Sequence, residues 1–350
     1  MEAQEKLAIV IVTYKRQEYL QQLLDSVLAL STPPWRVFVV DNEASVQTEA
    51  LVRAYAEHAA KGETVALWPE GAQAFVYAPQ EENLGGAGGF HAGMKLAYDA
   101  GAQWFWLMDD DVALLPDALD KLQKWMPDHE VIQGNKLDYD GGPFNWQYRF
   151  SETLGIYNPI KQTVFTNGPT LPTNAVCFEG GLIKRSVVDR IGFPDHRFFI
   201  YWDDCVYGYM ASKVTDSVAV EDVVLRRTRN IDNRELGGIR QLNSTSDITR
   251  FYIMRNRGHM GQYLKMNGDY RPLLFGVGTA LSFAKEFIRM GLIDRAHFRS
   301  GTKQLVAGWK EGRRILHDPN WKPVTLPGTS TAAETATSTH GESAAETASA

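Results

Sequence analysis

The chain has 350 residues, 44% of them hydrophobic and 11% aromatic, enough apolar material to bury a real core and too much for a chain disordered throughout. Its 36 Lys and Arg against 42 Asp and Glu leave a formal charge of -6, which argues against a protein that binds nucleic acid over its whole surface. Two cysteines occur, Cys177 and Cys205, in no CxxC or Cys/His cluster, so neither a zinc site nor a disulfide framework is indicated and both read as buried thiols.

The N-terminus runs Met1-Glu2-Ala3-Gln4-Glu5-Lys6 straight into an apolar strand, without the pattern of a secretory peptide. Leu7 to Val12 is a β-branched run, and Glu18 to Leu30 carries Leu20, Leu23, Leu24, Val27 and Leu28 at helical spacing. Arg36 to Val40 predicts a second strand, Val46 to Ala60 a helix, Ala74 to Ala78 a third strand, Gly88 to Ala100 a helix and Trp104 to Met108 a fourth strand. This alternation predicts an α/β fold with a Rossmann-like, mostly parallel sheet and helices on both faces. Further on, Pro116 to Met126 reads as a helix, Val131 to Gly134 as a strand, Phe144 to Phe150 as one arm of a hairpin and Cys177 to Ile183 as a strand. Arg185 to Ile191 and Asp204 to Ser212 read as helices around a strand at Ser217 to Leu225. Three helical stretches follow, at Ile248 to Leu264, Pro272 to Met290 and Phe298 to Leu316.

Charge is unevenly spread along this order. Residues 1–249 hold 22 Lys and Arg against 34 Asp and Glu, or -12; residues 250–327 hold 14 against 5, or +9; residues 328–350 hold none against 3. We therefore divide the chain into an acidic body at 1–249, a basic helical region at 250–327 and a low-complexity tail at 328–350, expected to be disordered. The longest mostly apolar stretch, Pro272 to Ala284, is 13 residues, short of the roughly 20 that span a bilayer. The expectation is a cytoplasmic protein, soluble or peripheral on the inner face of the cell membrane. The basic helices read either as packed on the core with their Lys and Arg in water, or as a contact for an anionic membrane surface.

Ligands of such sheets bind beyond the carboxyl ends of the strands, and polar residues collect there. Asp109-Asp110-Asp111 follows an apolar, aromatic strand. Adjacent carboxylates repel, and with no nearby His or Cys the oxygen ligands favour Mg²⁺ or Mn²⁺ over zinc; an acidic turn capping the next helix is the plain alternative. Asn83-Leu84-Gly85-Gly86-Ala87-Gly88-Gly89-Phe90 fits neither a dinucleotide fingerprint nor a phosphate-binding P-loop. It reads as a loop that offers backbone amides to a diphosphate, or as a flexible turn. Phe198-Phe199-Ile200-Tyr201-Trp202-Asp203-Asp204 ends an aromatic run in paired carboxylates. One of a pair can act as general base and the rings can stack on a sugar, or the pair merely caps a helix. His91 and His259 read as structural.

Taken in order, Ile9-Val10-Ile11-Val12-Thr13-Tyr14-Lys15-Arg16, Val39-Val40-Asp41-Asn42, the glycine segment, the Asp triplet and Trp202-Asp203-Asp204 resemble the inverting family 2 glycosyltransferases of GT-A fold. The resemblance runs from residue 7 to about 260 and includes Arg255-Asn256. It is nearest to the bacterial galactofuranosyltransferase branch, with rhamnosyltransferases using dTDP-rhamnose close behind.

The resemblance implies a nucleotide-sugar donor, UDP-galactofuranose favoured, a glycan or polyprenyl-linked acceptor, and Mn²⁺ or Mg²⁺. It puts Thr13, Arg16, Asp41, Asn83, Gly85, Gly86, Asp109 and Asp110 along the donor, with Asp109 and Asp111 on the metal. Asp204 matches the catalytic base, with Trp202, Asp203 and Glu179 on the acceptor side. Galactofuranosyltransferases of this type carry a metal-binding His where this chain reads Val223-Val224-Leu225-Arg226-Arg227, so Arg226 or Arg227 is a candidate to meet the diphosphate directly. A nucleotidyltransferase and a non-catalytic glycan-assembly subunit are the competing readings.

Overall fold

The computed structural model describes residues 5–326 apart from 143, 145, 161, 231–233, 237–239 and 243; the low-complexity tail at 328–350 lies outside the described residues. In chain order the elements are β1 (Leu7–Thr13), α1 (Gln17–Leu28), β2 (Arg36–Asp41), α2 (Val46–Lys61), β3 (Phe75–Pro79), α3 (Gly85–Asp99), β4 (Trp104–Asp109) and β5 (Val112–Leu114). Next come α4 (Ala118–Gln123), β6 (Val131–Leu137), the hairpin β7 (Trp146–Ser151) and β8 (Ile156–Ile160), β9 (Thr170–Thr173), β10 (Gly181–Lys184), α5 (Arg185–Ile191), α6 (Asp203–Ala211) and β11 (Ser217–Arg227). The small hairpin β12 (Arg234–Leu236) and β13 (Arg240–Leu242) precedes α7 (Asp247–Met266), α8 (Pro272–Leu292) and α9 (Phe298–Leu316).

Among the described residues the main sheet runs β3-β2-β1-β4-β10-β6-β11-β5, with β9 also on β11. Strands β3, β2, β1 and β4 are parallel, as the alternation of strands and helices predicts. Beyond β4 the sheet is mixed: β10 is antiparallel to both β4 and β6, while β6 and β11 run parallel. Period-2 geometry decides which helix each residue meets. Leu7, Ile9 and Ile11 face Leu20, Leu23 and Leu24 of α1, and Ala8, Val10 and Val12 face Phe90, Met94 and Ala97 of α3. The architecture is GT-A-like α/β with helices on both faces, closed by the C-terminal helices.

The glycine segment departs from its expected role as a loop before a helix. It is itself the first turns of α3. A β-carbon on Gly89 would lie 2.5 Å from Val12 Cγ1 and one on Gly93 2.5 Å from Val10 Cγ1, so these glycines let the helix press onto β1. The strand expected from Cys177 begins only at Gly181, because Gly180 at φ 102° breaks the extended run.

The basic C-terminal helices also differ from a set of charges left in water. Arg250, Arg257 and Arg289 are buried. Arg257 donates to the carbonyls of Leu154, Gly155 and Phe275, and Arg289 pairs with the buried Glu286 at 3.0 Å. Among the described residues no helix is long and apolar enough to cross a membrane.

Candidate active site

A cleft of about 400 Å³ opens at the carboxyl ends of β1 and β4 and brings both acidic segments to one place. Thr13, Arg16, Asn83, Gly85, Gly86, Asp109, Asp111, Glu179, Trp202, Asp203 and Asp204 all line it. Asp110 and Asp41 sit behind that lining. Asp41 is fully buried, and its carboxylate accepts from the backbone N–H of Glu43 and Ser45 and from the Tyr77 hydroxyl. It shapes the turn after β2, while its neighbour Asn42 faces the cleft.

Arg16 and the Thr13 hydroxyl make the nearest side-chain contacts to the triplet. Arg16 Nη1 lies 2.9 Å from both Asp110 Oδ1 and Asp111 Oδ2, and Thr13 Oγ1 donates to Asp110 Oδ2 at 2.7 Å. The contact of Arg16 with Asp110 Oδ1 is an ion pair without hydrogen-bond alignment, since that buried oxygen has no hydrogen-bond partner among the described residues. Burial, then the charges of Asp111, Glu179 and Asp110, push Asp109 well above the usual carboxylate range. Burial likewise raises Asp110 to about 6, against the pull of Arg16 and Thr13. Burial opposes the Arg16 charge, but the three aspartates outweigh it and hold its pKa above normal.

Glu179 is committed within the protein. It accepts two hydrogen bonds from Arg227, at 2.7 and 2.9 Å, and lies 3.2 Å from the buried Lys136 ammonium. Burial opposes its charge, yet Lys136 and Arg227 bring its pKa down to about 2. The two arginines of strand β11 therefore part ways: Arg226 is exposed, and Arg227 reaches the cleft already paired. Arg229 just beyond comes within 4.0 Å of Asp111.

Facing the triplet, the segment that leads into α6 is a tight turn. Phe199, Tyr201 and Trp202 all have left-handed φ, at 62°, 76° and 76°, each costing on the order of 1–3 kcal/mol for a residue with a β-carbon. This conformation lets the chain turn sharply, so that Asp203 and Asp204 begin α6 at the cleft wall. The carboxylate of Asp204 accepts from the N–H of Cys205 at 2.7 Å. Burial, then the charge of Asp204, raises Asp203 to about 8. Tyr157 and Tyr201 complete this aromatic wall, their hydroxyls 3.1 Å apart.

Sequence patterns did not single out Tyr157 or Lys136, whereas Asn42 and Tyr201 lie within the motifs quoted above. Lys136 left little signal, since it follows Gln133, Gly134 and Asn135 in the polar half of β6. Tyr157 left none, since it reaches the cleft from a hairpin far off in sequence. His91 and His259 do sit in structural roles: His91 bonds the carbonyl of Pro194, and buried His259 accepts from the Trp321 indole. Cys177 and Cys205 are free and buried.

The family model described as glycosyl transferase family 2 matches residues 8–192. Galactofuranosyltransferase GlfT1 of Mycolicibacterium smegmatis is 29% identical over 89% of this chain and 97% of its own length. GlfT1 of Mycobacterium tuberculosis is 32% identical over 57% of this chain and 62% of its own. Among solved structures, S. aureus TarS 1–349 superposes with a TM-score of 0.52 at 13% identity, covering 89% of this chain and 81% of TarS. The same protein in complex with UDP-GlcNAc gives 0.51 at 12% identity over 89% and 81%. With a family model matching more than half of its length and this fold around one acidic cleft, the chain belongs to glycosyl transferase family 2 and is a glycosyltransferase.

Proposed function

We propose that this enzyme transfers galactofuranose, with inversion, from UDP-galactofuranose to a hydroxyl of a cell-surface glycan or polyprenyl-linked acceptor. The observation that carries this reading is the meeting of the Asp109–Asp111 and Asp203–Asp204 segments in one cleft, in a chain that matches the M. smegmatis galactofuranosyltransferase over nearly its full length. The UDP-GlcNAc complex of TarS supports a UDP-sugar as the donor class.

In this reading the triplet end of the cleft takes the nucleotide diphosphate, with Thr13, Arg16, Asn83, Gly85 and Gly86 beside it. Asp204 takes the proton of the acceptor hydroxyl as its oxygen attacks the anomeric carbon from the face opposite the diphosphate. The bond from that carbon to the diphosphate oxygen breaks and UDP leaves. Trp202, Asp203 and Glu179 lie on the acceptor side, Trp202 as a stacking surface and Asp203 beside the base.

Among the described residues no three His, Cys, Asp or Glu side chains converge as a ready metal site. The donor set nevertheless fits Mg²⁺ or Mn²⁺, because such ions use one or two carboxylates together with substrate phosphates, and a cation would offset both the burial and the neighbouring carboxylate charges that raise Asp109. Asp109 and Asp111 would hold it, and when bound it stabilises the charge of the departing diphosphate.

The acceptor's lipid also offers a reason for the surface of α8. Leu273, Leu274, Val277, Leu281 and Ile288 are exposed on it, beside a groove of about 650 Å³ between α8 and α9. We assign this face to an anionic membrane surface.

Asp204→Asn tests the mechanism. It is expected to keep UDP affinity within roughly threefold and to lower kcat by about 10³-fold or more; normal transfer by this variant would remove Asp204 as the base.

A further inference from the structure

We propose that Asn256, on a helix outside the cleft lining, is a positioning residue for the general base: its carboxamide clamps the turn that delivers Asp203 and Asp204. The inference rests on the reading of Asp204 as base and extends it to the C-terminal helices.

Asn256 is completely buried. Its Nδ2 lies 2.8 Å from the carbonyl oxygen of Phe198, 2.9 Å from that of Ile200 and 2.9 Å from that of Tyr201. Its Oδ1 accepts from Arg255 at 3.0 Å, which orients the amide with its nitrogen toward the turn. Three backbone acceptors thus converge on one donor group, and they belong to the stretch in which Phe199, Tyr201 and Trp202 adopt left-handed φ. Residues with a β-carbon hold such angles only where surrounding contacts over-determine them, and this turn has no strand partner to do so among the described residues.

Helix α7 grips the same turn at four more points. Tyr263 donates to Asp195 Oδ2 at 2.8 Å and Arg255 to the carbonyl of Arg197. The Trp202 indole donates to the carbonyl of Ile253 at 3.1 Å, and Phe199 stacks on Tyr252 with ring centroids 4.8 Å apart. On the far side, the N–H of Ala87 in α3 donates to the Phe199 carbonyl at 3.0 Å. The turn is therefore held between α3, which opens the donor side of the cleft, and α7, and Asn256 binds its centre. Because Asp203 and Asp204 are the first residues of α6, immediately after this turn, the angle at which they enter the cleft follows from its conformation. A displacement of about 1 Å in a reacting group is enough to cost on the order of 10²-fold in rate.

The test uses the full chain and the variants Asn256→Ala and Asn256→Ser, with Gln262→Ala as a comparator. Gln262 bonds the carbonyls of Ile315 and Asp318 and weakens the seat of α7 without touching the turn. Measured well below every unfolding temperature, Asn256→Ala is expected to lower transfer kcat about 10²-fold while the donor KM and the Kd for UDP stay within roughly threefold. Backbone hydrogen exchange in residues 198–206 should accelerate in that variant, fall between in Asn256→Ser, which keeps one donor, and stay at the wild-type rate in Gln262→Ala. Wild-type kcat and exchange in Asn256→Ala, or in Asn256→Ser where the alanine variant does not fold, would overturn the proposal. If the wild-type protein transfers no sugar, the general-base reading fails on its own, and exchange together with UDP affinity still decides whether Asn256 clamps the turn.

Discussion

The carbonyl oxygen of Phe199 lies 2.1 Å from the place a β-carbon on Gly85 would occupy. Gly85 opens α3 with φ 68°, and Asn42 Nδ2 fixes its carbonyl at 3.0 Å. Helix α3 and the turn before the acid pair are thus in backbone contact, and only a residue without a side chain permits it. Gly85→Ala is expected to push the two apart, lowering stability by about 1–3 kcal/mol and kcat by about 10²-fold. Urea unfolding and steady-state kinetics check this; an alanine variant with wild-type kcat would show that the contact is incidental.

The acid pair gives stability a pH dependence with a definite sign. Asp203 is raised to about 8 in the folded protein, while an unfolded aspartate titrates near 4. Between those values the folded state binds more protons than the unfolded state, so stability falls as pH rises. Asp203→Asn removes that titration. Thermal melts from pH 5 to pH 8.5 without ligand should show a downward drift in the melting temperature of the wild type that is reduced in Asp203→Asn, and equal drift in both would contradict the assignment.

Much of this was legible before the structure. Runs such as Leu7–Val12 and Trp104–Met108 announce buried parallel strands, because strands covered on both faces are apolar at every position, and the acidic residues at their ends mark the cleft. What failed to show depended on contacts distant in sequence. That the glycine segment is already helix, with Gly89 and Gly93 pressed on Val12 and Val10, is visible only in the packing. Asp41 reads as a residue along the donor, and no local pattern shows that its carboxylate is bonded to its own turn. Asn256 carried a readable hint, a polar residue on the buried stripe of α7 with Ile253, Met254 and Met260, but its partners at 198–201 are beyond any local pattern.

Glu179 sits between the buried Lys136 and the partly buried Arg227, so its loss leaves two cations facing each other without the carboxylate between them. Glu179→Gln is expected to cost about 3–5 kcal/mol, as for other broken buried pairs, and chemical denaturation measures it. A change in acceptor KM with no loss of stability would point instead to a direct acceptor contact.

The exposed apolar face of α8 predicts binding to anionic vesicles. Leu273→Glu combined with Leu274→Glu should abolish co-sedimentation with phosphatidylglycerol vesicles and leave transfer to a soluble acceptor unchanged. Equal recovery of the wild type in the supernatant of anionic and neutral vesicles would remove this surface as a membrane contact.

The most direct test of the proposed reaction is nucleotide release from a panel of UDP-galactofuranose, UDP-galactose, UDP-glucose and dTDP-rhamnose in the presence of a glycan acceptor. UDP freed from UDP-galactofuranose, with stoichiometric glycosylation of the acceptor, is the expected result. Turnover of dTDP-rhamnose with none of UDP-galactofuranose would contradict it.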